Sequence, residues 1–164
     1  MAAIYLVRHA IAGERGPKYP NDDLRPLTRE GKSRMRAVVA GFRTLEPGLD
    51  VILTSPLVRA EGTARILQAG LKGETPMEIC EELRPDNDPE DVVVALSRFK
   101  KAASVALVGH EPDLGQLAAW LIGAAEPILF KKGGICRIDV TALPPKPPGR
   151  LIWHATPKML RGLA

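Results

Sequence analysis

Aromatic side chains are scarce, 4% of a chain of 164 residues, and no lysine- and arginine-rich block alternates with them. The stacking platforms and basic stripes that hold nucleic acid are therefore absent, and no nucleic-acid partner is expected. No apolar run approaches the ~20 residues of a membrane span, so no membrane partner is expected either. The apolar stretch nearest the N-terminus is short and ends in Arg8-His9, which is not the form of a secretory signal. The expected location is the cytoplasm. Only two cysteines occur, Cys80 and Cys136, and they lie far apart, with no metal-ligand spacing. Both read as reduced, buried thiols. Charge of one sign is also nearly lacking: 23 Lys and Arg against 19 Asp and Glu leave a net charge of +4. A surplus that small suits an anionic substrate without pointing to a polyanion.

What is present is ordinary for a globular protein, 45% hydrophobic and 26% charged. The length suits one core, and residues 1–164 read as a single domain, without internal repeats or a boundary. Residues 4–10, Ile-Tyr-Leu-Val-Arg-His-Ala, are the stretch on which the rest depends. Four apolar or aromatic residues in a row predict a strand buried on both faces, as in a parallel sheet. Such a strand delivers its trailing residues, here Arg8-His9, to the carboxyl edge where ligands bind in open α/β folds.

Residues 11–27 are rich in Gly, Pro, Asp and charge and predict a long, functional loop. Thr28 is an N-cap for a helix carrying Met35, Val38, Val39, Phe42 and Leu45 inward, stopped at Pro47-Gly48. Val51 to Thr54 predict a second strand, running into Ser55-Pro56 as N-cap and first residue of a helix that extends to about Ala69. Met77 to Cys80 predict a short strand, and Asp88-Pro89 open a third helix. Ser104 to Val108 predict the clearest internal strand, ending at Gly109-His110, after which Glu111-Pro112 start a fourth helix. Residues 134–141 and 150–155 read as two strands joined by the proline-rich turn 143–149. The predicted fold class is α/β. It is a three-layer sandwich with a mostly parallel central sheet, helices on both faces and a C-terminal antiparallel hairpin.

Three strand ends thus carry Arg8-His9, Ser55 with Arg59, and Gly109-His110. Arginines are permanently charged, bidentate donors for phosphate oxygens, and a helix N-terminus near Arg59 adds to an anion site. Two histidines beside them suit phosphoryl transfer, which is chiefly positioning and electrostatics and can proceed without metal.

These segments resemble the histidine phosphatase superfamily, whose fold is that of the phosphoglycerate mutases. The short chain, Leu24-Arg25-Pro26-Leu27-Thr28 and Gly109-His110-Glu111-Pro112 resemble its SixA-type phosphohistidine phosphatases. The resemblance covers nearly the whole chain. It implies a metal-independent hydrolase, without cofactor, in which His9 takes the phosphoryl group as a phosphohistidine intermediate. Arg8, Arg59 and His110 would hold the phosphoryl oxygens. Ser55 either bonds near the site or caps its helix. Arg25 either reaches the phosphate or pairs with an acid. Glu82 is the leading choice for a general acid, with Glu81 and Glu111 as rivals. The implied partner is a phosphohistidine-bearing protein or a small phosphoester, and inorganic phosphate is the product.

Two departures stand out. Many members have glycine after the Arg-His pair, where this chain has Ala10, and the insertion that covers the site in larger relatives is short here. An uncovered site favours a phosphorylated side chain over an enclosed sugar phosphate, and disfavours a mutase, which must keep its intermediate from water. The alternatives are a small-molecule phosphomonoesterase of the same superfamily, a metal enzyme using His9, His110 and His154, and a non-catalytic phosphate-binding module. His154 alternates on a late strand and reads as structural.

Overall fold

The computed structural model describes residues 1–164. Six strands form one sheet: β1 (Ala2–Arg8), β2 (Val51–Thr54), β3 (Met77–Ile79), β4 (Ser104–Gly109), β5 (Ile135–Val140) and β6 (Arg150–Ala155), in the order β3-β2-β4-β1-β5-β6. β1 to β4 run parallel; on the β1 side β5 pairs antiparallel with β1, and β6 pairs antiparallel with β5 at the edge. The helices are α1 (Arg29–Leu45), α2 (Val58–Gly70), α3 (Pro89–Ala95), α4 (Asp113–Ile122) and α5 (Pro157–Arg161). None is long and apolar enough to cross a membrane.

The double-faced burial expected of β1 has a simple cause. Its side chains alternate, and each face meets its own helical layer. Ile4 and Leu6 join Leu53 and Leu107 against Leu114, Leu117 and Leu121 of α4 and Val92 of α3. Tyr5 and Val7 join Ile52 and Ala106 against Met35, Val38 and Phe42 of α1, Ala60 and Leu67 of α2, and Leu160 of α5. Each Val, Leu, Ile, Met or Phe among them, fully buried, contributes roughly 1.5–3 kcal/mol, so the sheet is held from both sides at the strands that carry the site. Trp120 and Trp153 pack partly buried against these clusters, and Phe130 lies within one.

Helix starts follow the chemistry of their caps. The Thr28 hydroxyl accepts from Gly31 N–H at 2.9 Å, as expected. Asp88 stands at the N-cap of α3 but makes no side-chain cap bond. α2 begins at Val58 with Leu57 in the cap position, later than Ser55-Pro56, because Ser55 is engaged elsewhere. α4 likewise begins at Asp113, after Glu111-Pro112. α5 was not anticipated. Thr156 caps it by accepting from Met159 N–H, and Pro157 is its first residue. It lies so close to α1 that a Cβ on Gly41 would collide with the Leu160 carbonyl.

Candidate active site

The sheet ladder continues past the strands at its carboxyl edge. His9 N–H donates to the Gly109 carbonyl and Ser55 N–H to the Val108 carbonyl, each at 3.0 Å. His9, Ser55 and His110 therefore leave the sheet with their backbones already fixed. The His9 and His110 rings lie 5.2 Å apart, centroid to centroid. The His110 Nε2 hydrogen-bonds with Ser55 Oγ at 2.8 Å, and the same Oγ accepts from Leu57 N–H at 3.2 Å. Ser55 thus orients a histidine and turns the chain ahead of α2. It does not cap the helix.

The His9 ring is set by its own neighbours. Its Nδ1 lies 2.7 Å from the Ala10 carbonyl. A carbonyl can only accept, so Nδ1 carries the proton and Nε2 keeps its lone pair. Ala10 N–H donates to the Thr63 hydroxyl at 3.0 Å, and that hydroxyl donates to the Arg59 carbonyl at 2.8 Å. Thr63, expected only as an inward residue of α2, ties the His9 loop to that helix. Burial lowers His9 to about 4, against the Ala10 carbonyl, which favours the charged ring; Arg59, Arg8 and Arg25 lower it further. Burial also takes His110 down to about 3, helped by His9, Arg59 and Arg25 and opposed by Asp22. Both rings are neutral at neutral pH.

The arginines converge through an acid that sequence reasoning passed over. Asp22 lies in a short 3-10 turn (Asp22–Leu24) of the long loop. Its Oδ1 accepts from Arg25 Nε at 2.9 Å and its Oδ2 from Arg59 Nη2 at 3.0 Å, while its carbonyl accepts from Arg59 Nη1 at 2.8 Å. Burial works against ionisation of Asp22, but Arg25 and Arg59 outweigh it and hold the carboxyl below its usual range. Arg25 also donates to the Gly13 carbonyl at 2.7 Å. It pairs with an acid, as one of the two expectations held. The available signal was the spacing of Asp22 and Arg25, an acid and a base three residues apart.

Arg8 donates through Nη1 to the Phe130 carbonyl at 2.6 Å. Three buried side-chain polar atoms in the protein have no hydrogen-bond partner: Arg8 Nε, Arg59 Nε and His110 Nδ1. Native interiors rarely leave such groups unmade, and all three belong to residues of this one site. Arginine Nε–H donors and an imidazole nitrogen are the groups a tetrahedral oxyanion can engage.

Of the carboxylates considered, Glu81 pairs with Arg84 at 2.8 Å. Glu111 accepts from Gly115 N–H at 2.7 Å and from Phe130 N–H at 3.3 Å; burial lowers Arg8 from its ordinary value, and the Glu111 charge opposes that shift. Glu82 has only a weak donor, the Cys80 thiol at 3.3 Å, and lines a narrow cleft with His110 and Asp113 on its wall. Burial and Glu82 push Cys80 up to about 12, so it stays a thiol. His154 stands on the edge strand β6 against the Phe130 ring, away from the other histidines.

Residues 4–85 match the model of the histidine phosphatase superfamily (branch 1). A protein of Picosynechococcus sp. (strain PCC 7002), described as uncharacterized, is 39% identical over 133 residues, 80% of this chain and 75% of that one. The chain belongs to the histidine phosphatase superfamily. It is a homologue of SixA and a hydrolase of the phosphatase class. The phosphohistidine phosphatase SixA of Escherichia coli (strain K12) is 27% identical over 139 residues, 84% of each chain. A solved structure of the protein histidine phosphatase SixA complexed with tungstate superposes with a TM-score of 0.82 at 25% identity, covering 95% of this chain and 97% of that one. The α/β sandwich of this superfamily member is therefore the phosphoglycerate mutase-like fold of SixA. Arg8, His9, Ser55 and Arg59 lie inside the stretch matched by the family model, and His110 lies beyond it.

Proposed function

We propose that this superfamily member removes the phosphoryl group from phosphohistidine on a protein, through a phosphohistidine intermediate on His9. In the first step the His9 Nε2 lone pair attacks phosphorus, the substrate P–N bond breaks, and the leaving imidazole takes a proton from solvent. Water then attacks phosphorylated His9, releasing inorganic phosphate and the neutral ring. Arg8, Arg59 and His110 hold the phosphoryl oxygens. Ser55 and Asp22 are positioning residues, the first for His110 and the second for Arg59 and Arg25. No metal takes part.

The observation that carries this reading is the set of unpartnered buried atoms on Arg8, Arg59 and His110, next to a His9 whose Nε2 is unprotonated. The tungstate bound by the SixA relative is a tetrahedral oxyanion of the same kind. A protein-borne phosphohistidine is favoured because the connections at this edge after β3 and β4 are short, residues 80–88 and 110–112, and carry no long insertion of the kind that encloses a small substrate. Exchange of one P–N bond for another also leans little on a general acid.

A second reading has one observation in its favour. Glu82, free of N–H and guanidinium partners and lining the same cleft as His110, is the carboxyl available to protonate an ester oxygen. The chain would then serve as a small-molecule phosphomonoesterase.

The test is phosphate release from a phosphohistidine peptide and from p-nitrophenyl phosphate, for wild type and His9→Ala, in chelator. Phosphohistidine turnover lost in the variant is the expected result. Turnover of the ester alone moves the function to the second reading. No turnover of either leaves a phosphate-binding module.

A further inference from the structure

On the far side of Arg8 from His110 the chain approaches β5 through Lys131-Lys132-Gly133-Gly134. This turn is latched to the end of β1. Gly133 N–H lies 3.1 Å from both the Arg8 and His9 carbonyls, and Arg8 N–H donates to the Gly134 carbonyl at 3.0 Å. Gly133 has φ +83°, which suits glycine there. Arg8 itself reaches back to the Phe130 carbonyl at 2.6 Å. Backbone bonds therefore fix where these two lysines stand relative to the phosphoryl site.

A cavity of about 310 Å³ opens here, walled by Arg8, Arg34, Lys131, Lys132 and Arg161 over a floor that includes Met35 and Val38. No carboxylate lines it. Only Arg34 is neutralised, by Glu30 at 2.7 Å. A net charge of +4 over the whole chain does not by itself gather five cations around one hollow. Like charges so close repel unless an anion joins them. His9, Arg59 and His110 do not line this cavity, and Arg8 is shared between it and the phosphoryl site.

The surroundings say what kind of anion. Leu129, on the same segment, is 80% exposed, and Met159, on α5 beside Arg161, is 61% exposed. Exposed apolar side chains flanking cations fit a protein surface better than a small polyanion. We infer that this cavity docks a carboxylate-bearing segment of the phosphorylated protein, an acidic stretch next to its phosphohistidine. The inference rests on the protein-phosphohistidine reading above. In it, Arg8 holds the phosphoryl group on one side while the lysine turn reads an Asp or Glu side chain on the other.

The test uses two phosphohistidine peptides of equal length made with phosphoramidate, one flanked by Asp and Glu and one by Ala, beside p-nitrophenyl phosphate. Wild type should show kcat/KM about tenfold higher for the acidic peptide at low salt, an advantage that fades as salt screens it. K131E/K132E should abolish or reverse that preference. The Ala-flanked peptide and the ester should stay within about twofold of wild type, since neither lysine touches the phosphoryl group. K131A/K132A should fall between the two and guards against misfolding by charge reversal. Equal turnover of both peptides by wild type overturns the docking site while leaving the phosphohistidine activity intact. An equal loss on all three substrates in both variants overturns it too, by assigning the lysines to the phosphoryl site. Ester turnover with neither peptide accepted removes the functional reading itself, and the inference with it.

Discussion

Acid is the perturbation that probes the site most directly. An ordinary histidine, with a pKa near 6.5, is about nine-tenths protonated at pH 5.5. His9, lowered to about 4 by burial and by Arg59, Arg8 and Arg25, should remain neutral there by roughly thirty to one. Titration of the Cε1 resonances in histidine-labelled, ligand-free protein measures this ring by ring. Substitution of each histidine assigns the signals. The same displacement has a thermodynamic sign. Unfolded chains take up the His9 proton near pH 6.5, and the folded protein resists it until about 4. Stability is therefore full above the unfolded value and falls as pH drops through that window, by roughly 3 kcal/mol for His9. His110, taken down to about 3, acts in the same direction. Melting temperature should decline from pH 6.5 to 4, and activity should persist well below pH 6 before it fails. A His9 midpoint at 6.5 or higher in the free protein would refute the claim that burial and the arginines hold this ring neutral. A midpoint unmoved by Arg59→Gln would refute the arginine share.

Three further outcomes are expected. Asp22→Asn takes the counter-charge from two buried guanidiniums. It should lower stability by roughly 1–3 kcal/mol in a denaturant melt while tightening inhibition by phosphate. Thr63→Val leaves Ala10 N–H unpaired in the interior, so unfolding free energy should drop by roughly 1–3 kcal/mol, and an unchanged value would show the bond to be dispensable. Glu82→Gln should abolish turnover of an alkyl phosphoester, whose leaving alkoxide needs a proton, and spare phosphohistidine turnover; equal loss of both would count against that division.

The sandwich was legible because its signals are local. Runs such as Ile4 to Val7 and Val105 to Val108 are short, apolar on both alternating faces and rich in bulky or β-branched residues, which favours strands covered on both sides, and each leads into a charged or titratable residue at the same edge. Arg8, His9, Ser55, Arg59 and His110 followed from those ends. Asp22 did not, because the conformation of the long loop is set by ion pairs to Arg25 and Arg59, which leave no periodicity in sequence. The start of α2 was misplaced for a related reason: Ser55 looks like a cap until His110, 55 residues away, is seen to engage it. α5 escaped notice although Thr156-Pro157 is a capping pair, because five residues are too few for a helical stripe. The role of Lys131 to Gly134 was hidden because its partners are carbonyls of Arg8 and His9, and any sequence carries those.

The direction of β5 has a consequence for how such a protein can diversify. A parallel neighbour would send its outgoing loop to the catalytic edge. An antiparallel one sends the loop that precedes it, so residues 123–134 arrive at Arg8 from α4. Recharging the exposed Lys131 and Lys132 of that stretch leaves in place the backbone bonds by which Gly133 and Gly134 hold Arg8 and His9, and the ladders of β1 and β4 with them. Lineages sharing one unchanging chemistry could therefore acquire new clients by rewriting a single connection, as a tool keeps its handle while the bit is exchanged.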